Sequence, residues 1–213
     1  MNKFIITINR ECGSGGGEIA RLLGKKLGVK VYDRKILDSV AQQFDLSVEN
    51  IERVKAQKTT WWDDFCRFYQ QFGAISSSSN DTLPEATPMS VYYAEARLMH
   101  ELAAKESCII IGRAGFHVFR DEPNAVHFLI IADDNARIDR IVRKQNLSRE
   151  EAEKVIKNID NRRDTFVKSV TEKSRLDAHN YDLVINITGM NPEQVTEFLA
   201  DIIRYKLNFR NSQ

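Results

Sequence analysis

The chain has 213 residues, of which 42% are hydrophobic and 29% charged. That composition suits a globular protein of one large domain and excludes a disordered tail, a collagen-like repeat or a small disulfide scaffold. The 31 Lys/Arg and 30 Asp/Glu leave a formal charge of +1, which argues against a surface built to coat nucleic acid or an anionic membrane. No apolar run approaches the ~20 residues of a membrane-spanning helix. The apolar start at Phe4–Ile8 is too short for a signal-peptide core. Cys12, Cys66 and Cys108 form no CxxC pair, and His100, His117, His127 and His179 show no metal-ligand spacing. A reducing cytoplasm is the expected compartment. The expected partners are small-molecule nucleotides, with no nucleic acid and no membrane; a homodimer is left open.

In chain order, residues 4–9 form a β-branched run that ends in the glycine cluster Gly13–Gly17. Ile19, Leu22, Leu23 and Leu27 then repeat at helical spacing, with Gly28 as a helix stop. A short strand follows at 29–32. Helical patterns follow at Ile36–Phe44 and from Ser47. The aromatic stretch 61–72 predicts a helix that is core or a dimer contact; base stacking is the alternative. Ser76–Ser79 and Pro84–Pro88 read as a loop, and 91–105 as a helix. Strands are predicted at 108–112, 127–132 and 182–187, a long polar helical region over roughly 133–175, and a closing helix over 192–207. The predicted fold class is α/β: a parallel five-stranded sheet of P-loop type, with helices on both faces.

The strongest chemical signal is the passage from strand to glycines to amphipathic helix around Gly13, Ser14, Gly15, Gly16, Gly17 and Glu18. Glycines let successive backbone N–H groups converge on an anion, and the helix N-terminus adds its positive dipole end. A flexible turn without ligand is the bland alternative. The pattern differs from the Walker A sequence G-x-x-x-x-G-K-[ST]. With Gly15 as its second glycine, Arg10 stands at the first, Gly16 replaces the lysine, and Gly17 replaces the magnesium-binding Ser/Thr. Some other cation must then serve the phosphates.

The segment Ile6-Thr7-Ile8-Asn9-Arg10-Glu11-Cys12-Gly13-Ser14-Gly15-Gly16 is followed by Tyr32-Asp33-Arg34. Further on stand Ile109-Ile110-Ile111-Gly112-Arg113 and Asn180-Tyr181-Asp182-Leu183-Val184-Ile185-Asn186. In that order these segments resemble the cytidylate kinase-like family, a divergent branch of the P-loop nucleoside monophosphate kinases. The resemblance runs from about residue 3 to 206. It implies one P-loop kinase-like domain over 1–213, an acceptor-binding arm at 45–100 and an arginine-rich lid at 137–175. The branch commonly lacks the loop lysine and usually carries a basic residue after Gly-Ser-Gly-Gly, where this chain has Gly17.

The resemblance implies phosphoryl transfer from ATP, with Mg2+, to CMP or dCMP. Asp33 would orient the acceptor or the metal, whose own ligands are unknown. Arg34 and Arg113 would hold the acceptor phosphate. An arginine after a buried central strand suits phosphate, because its planar fork matches the oxygens; a structural salt bridge is the alternative for Arg113, and a surface ion pair for Arg34. Arg137, Arg140 and Arg143 share one helix face, and 137–175 holds 12 Lys/Arg against 7 Asp/Glu. Lid arginines can neutralise a transferring phosphoryl group, and Arg137 and Arg163 are the foremost candidates. Most of these charges read equally as a solvated helical face. A kinase for another small molecule and a non-catalytic nucleotide-binding module are the alternative functions.

Overall fold

The computed structural model describes residues 3–33 and 88–210. The expected helices within 36–54, the aromatic stretch 61–72, Arg34 and most of the 45–100 arm lie outside the described residues.

Five strands form one parallel sheet: β1 (Ile5–Arg10), β2 (Lys30–Tyr32), β3 (Cys108–Ile111), β4 (Ala125–Ile131) and β5 (Leu183–Asn186), in the spatial order β2-β3-β1-β4-β5. Ile5 and Ile6 of β1 pair with Cys108 and Ile109 on one side and with Ala125 and Val126 on the other. Six helices of four residues or more accompany it among the described residues: α1 (Gly16–Leu27), α2 (Pro88–Lys105), α3 (Gly115–Val118), α4 (Asp134–Gln145), α5 (Arg149–Thr171) and α6 (Pro192–Arg210).

Because alternate strand residues face opposite sides, the sheet makes two cores. Ile6, Ile8, Ile109 and Phe128 pack with Leu23 of α1 and Leu199 of α6. Ile5, Cys108 and Ile110 pack with Met99 of α2, Phe116 of α3 and Val167 of α5. β1 and β3 are buried on both faces, β3 as its unbroken apolar run requires; β5, at the edge, alternates between half-buried and exposed.

The polar helical region expected over roughly 133–175 consists of two helices, α4 and α5. Asn146 adopts a left-handed conformation (φ 54°) that closes α4. Ser148 then opens α5 with a capping box: its hydroxyl accepts the Glu151 N–H, and the Glu151 carboxylate accepts the Ser148 N–H. The two helices bury Ile138, Ile141, Ala152 and Ile156 against Cys12 of the glycine loop, so the loop belongs to their small core. The short helix α3 is an addition to the sequence reading. Among the described residues no helix is long and apolar enough to cross a membrane.

Candidate active site

The chain leaves β1 towards one edge of the sheet and β4 towards the other, so a crevice opens between their carboxyl ends. The glycine loop lies there. Gly13 (φ 81°) and Gly15 (φ 96°) take backbone conformations that disfavour any side chain. At Gly13 space is equally decisive. A Cβ on Gly13 would lie 2.7 Å from the Arg137 carbonyl, and one on Gly15 would lie 2.5 Å from Nη1 of Arg140.

The backbone donors of this loop divide into two sets. Cys12 N–H is taken by the Asp160 carboxylate, and Gly16 N–H by the Ser14 hydroxyl at 3.3 Å. The N–H groups of Gly13, Gly15 and Gly17 make no hydrogen bond to any described residue. Three unspent donors thus stand beside the N-terminus of a 12-residue helix, whose positive dipole end attracts negative charge. Ser14 itself is fully buried, and its hydroxyl donates to the Glu11 carbonyl at 3.0 Å. Glu18 lies at the rim of the loop cavity.

That cavity has a volume of about 790 Å³. Six cations line it (Arg10, Arg21, Arg140, Arg143, Lys144 and Arg163) against two carboxylates, Glu11 and Glu18. Burial, together with the neighbouring charges of Arg163 and Arg175, pushes Arg10 down to about 9. Burial also lowers Arg163, and Asp160 opposes it. The site is thus short of negative charge, as a polyanion site should be.

The arginines of 137–175 are placed unequally. Arg163 lines the cavity and donates to the Arg10 carbonyl and to Asp160, both at 3.3 Å. Arg140, which the sequence ranked below it, lies directly on the loop and donates to the carbonyls of Gly13 (3.0 Å) and Ser14. Arg137 is 7% exposed and faces a neighbouring cavity. It donates to the Cys12 carbonyl at 2.8 Å and to Asp134 at 3.1 Å, pairs with Asp160, and lies 3.4 Å from Glu11. Its guanidinium is committed to holding the loop.

Asp33 directly follows β2 and stands near enough to Arg10 to favour its charge. At the end of β3, Gly112, Arg113 and Ala114 all have positive φ (74°, 53° and 54°), a tight left-handed turn that costs conformational energy at the two non-glycine positions. It directs Arg113 onto the buried Glu95 of α2 (Nε to Oε2 2.6 Å), with its guanidinium 4.1 Å from the centre of the Phe166 ring. The Asn180–Asn186 motif serves the frame. Asp182 accepts the His127 N–H at 2.8 Å, and Tyr181 receives a 2.6 Å bond from Asn9 at the end of β1.

Sequence reasoning missed Asp160 and Arg175. Asp160 receives Cys12, Arg137 and Arg163, and Arg175 donates to the Arg10 carbonyl at 2.9 Å. The Asp160/Arg163 spacing of three was visible, but nothing in it pointed to the loop.

The cytidylate kinase-like family profile matches residues 5–189. The chain belongs to the cytidylate kinase-like family. It is thereby a member of the P-loop superfamily of nucleoside monophosphate and small-molecule kinases, whose fold implies nucleotide binding in general. No curated protein matches the chain in sequence. Among solved structures it is similar to an uncharacterized protein from Eubacterium ventriosum ATCC 27560, at 20% identity over 96% of this chain and 99% of that one, with a TM-score of 0.71. It is more distantly similar to a shikimate kinase from Acinetobacter baumannii in complex with shikimate (13% identity, 96% and 94% covered, TM-score 0.48). A gluconokinase from Sinorhizobium meliloti 1021 follows (12% identity, 98% and 92% covered, TM-score 0.41).

The site fits a polyphosphate better than it fits a protein-held metal. Gly17 offers no hydroxyl, the Ser14 hydroxyl is spent on the Glu11 carbonyl, and Gly112 is the residue that follows β3. Among the described residues no three His, Cys, Asp or Glu side chains are grouped to hold a metal ion.

Proposed function

We propose that the protein transfers the γ-phosphate of ATP to a nucleoside monophosphate, with CMP or dCMP as the first candidates. The observation that carries this reading is the pairing of three unspent N–H donors with six cations around one cavity. Gly13, Gly15 and Gly17 cradle phosphate oxygens. Arg163 and Arg140 face the charge that builds up on the transferring group, where preorganised donors lower the barrier most. Arg137 acts through the loop as a positioning residue. Arg113 and Arg34 hold the acceptor phosphate, and Asp33 orients the acceptor. The acceptor is itself an anion, so positioning suffices without a dedicated general base. Magnesium arrives on the nucleotide, and no step is assigned to a protein-held ion. The whole chain acts as one domain, with 45–100 as the acceptor arm and 137–175 as the lid.

A second reading, a nucleotide-binding module without turnover, draws on the engagement of Arg137 and Arg113 with carboxylates. Incubation with ATP, magnesium and a panel of acceptors separates the two. Phosphorylation of CMP or dCMP supports the kinase. ATP binding without product on any acceptor supports the module. Product only with a non-nucleotide acceptor moves the reading to another small-molecule kinase.

A further inference from the structure

In the Walker A pattern the cation stands on the first turn of the helix, at the position of Gly16 here. That position cannot carry a side chain in this fold. A Cβ on Gly16 would lie 2.7 Å from Cβ of Arg10, 3.2 Å from its Cγ and 3.3 Å from Cβ of Ile130. The stem of Arg10 fills the space. Its guanidinium reaches across to β3, where Nη1 occupies the space a Cβ on Gly112 would need. Arg10 therefore bridges the first helical turn and the end of the neighbouring strand; its stem requires glycine at position 16, while Gly112 is required by its own φ of 74°.

The backbone of Arg10 is held firmly. Its carbonyl accepts from Arg175 at 2.9 Å and from Arg163 at 3.3 Å, and its N–H donates to the Asn9 side chain at 2.9 Å. The guanidinium itself makes no hydrogen bond or ion pair to any described residue. It lies half-buried on the cavity wall beside two further arginines, with Asp33 as the carboxylate that favours its charge. An arginine keeps its proton in such a place, so the charge seeks an anion. By contrast Arg137, Arg163 and Arg175 each have Asp160 within ion-pair distance.

We propose that Arg10 supplies from the strand end the positive charge that a P-loop lysine supplies from the helix, and grips the terminal phosphates of a bound nucleoside triphosphate. Gly16 is a glycine because the stem of Arg10 occupies the volume of its side chain. The choice of a nucleotide as the anion rests on the function proposed above; the placement of the charge does not.

Calorimetry on the full chain with ATP, AMP and inorganic tripolyphosphate tests this. Wild type binds ATP and tripolyphosphate. Arg10→Met weakens both by about ten-fold or more, a loss of the size expected for one charge-assisted contact, and changes AMP by less than about two-fold. Arg10→Gly combined with Gly16→Lys relocates the charge to the Walker position and regains the affinity, whereas Arg10→Gly with Gly16→Met does not. Should Arg10→Met fail to fold, that pair of double variants decides: stronger binding with lysine supports the assignment, and equal binding overturns it. Equal tripolyphosphate affinity in wild type and Arg10→Met overturns it, as does a loss that falls equally on AMP. Arg10-dependent tripolyphosphate binding without nucleotide binding removes the nucleotide reading and keeps the assignment. ATP binding untouched by Arg10→Met does the reverse. Binding of neither probe overturns both.

Discussion

Asp160 accepts the backbone N–H of Cys12 with both carboxylate oxygens, at 3.0 and 3.2 Å. This one contact fastens the middle of α5 to the glycine loop. The same carboxylate pairs with Arg137 and lies 3.3 Å from Arg163 and 3.6 Å from Arg175. Asp160→Ala would leave those guanidinium groups without their shared counter-charge in a largely buried setting. Removing one partner of such a network costs about 3 kcal/mol or more. Thermal melting should show a large drop, and ATP affinity should fall with it. A melting temperature unchanged by Asp160→Ala would show that the lid helix is held by its apolar contacts alone.

Gly15 is tested by its own substitution. Its φ of 96° disfavours an L-residue by about 1–2 kcal/mol, and a Cβ would displace the guanidinium end of Arg140 from the loop. Gly15→Ala should therefore melt lower and bind ATP more weakly. Arg140→Ala should spare the fold more than Gly15→Ala does and still reduce turnover, because its donors reach the loop carbonyls from the surface of α4. Turnover of Arg140→Ala equal to wild type would remove Arg140 from the site.

Arg113 and Glu95 form a buried ion pair, with side-chain exposures of 12% and 6%. Arg113→Ala strands the carboxylate, so it should destabilise by about 3 kcal/mol. The combination Arg113→Met with Glu95→Gln should recover much of that stability, since neither charge is then left alone. If Arg113 also holds the acceptor phosphate, the recovered double variant still binds CMP weakly while ATP affinity is retained. Restoration of both would make the pair purely structural.

His100 is the group that ties stability to mild acid. Burial beside Phe119 (ring centres 4.8 Å apart) pushes it down to about 4, so the folded chain resists its protonation. The unfolded chain binds this proton near 6.5 and the folded chain only near 4, so stability falls as the pH drops through that window. The loss from this group reaches about 3 kcal/mol by pH 4. Denaturant unfolding at pH 7 and pH 5 should show the difference in wild type and a smaller one in His100→Gln. Equal pH slopes in the two proteins would assign the acid sensitivity elsewhere.

The sheet was legible chiefly from its central strands, whose apolar runs ask for burial, and Cys108–Ile111 is buried along its whole length. The glycine turn was legible because φ above zero and close approach both demand glycine. The division of 133–175 was written in Asn146 and in Ser148 with Glu151, a capping box that charge counting passes over. Roles within the arginine segment were harder to read. Arg137 and Arg140 lie one turn apart on α4 with nearly the same local sequence. Only the fold shows that one turns inward to Asp160 and Cys12 while the other covers Gly15. Asp160 was hidden for the same reason, since its partners come from 148 residues upstream as well as from its own helix. Arg10 was visible as a departure from Walker A, but its steric exclusion of a side chain at Gly16 exists only in three dimensions.

Phosphoryl transfer itself is most directly tested by mixing the protein with γ-labelled ATP, magnesium and CMP and following the label. The account predicts labelled CDP and one ADP for each, with Arg163→Ala slower by about 10³-fold as for other arginines that face a transferring phosphoryl group. ATP that binds but delivers no label to CMP, dCMP or any other monophosphate would contradict it.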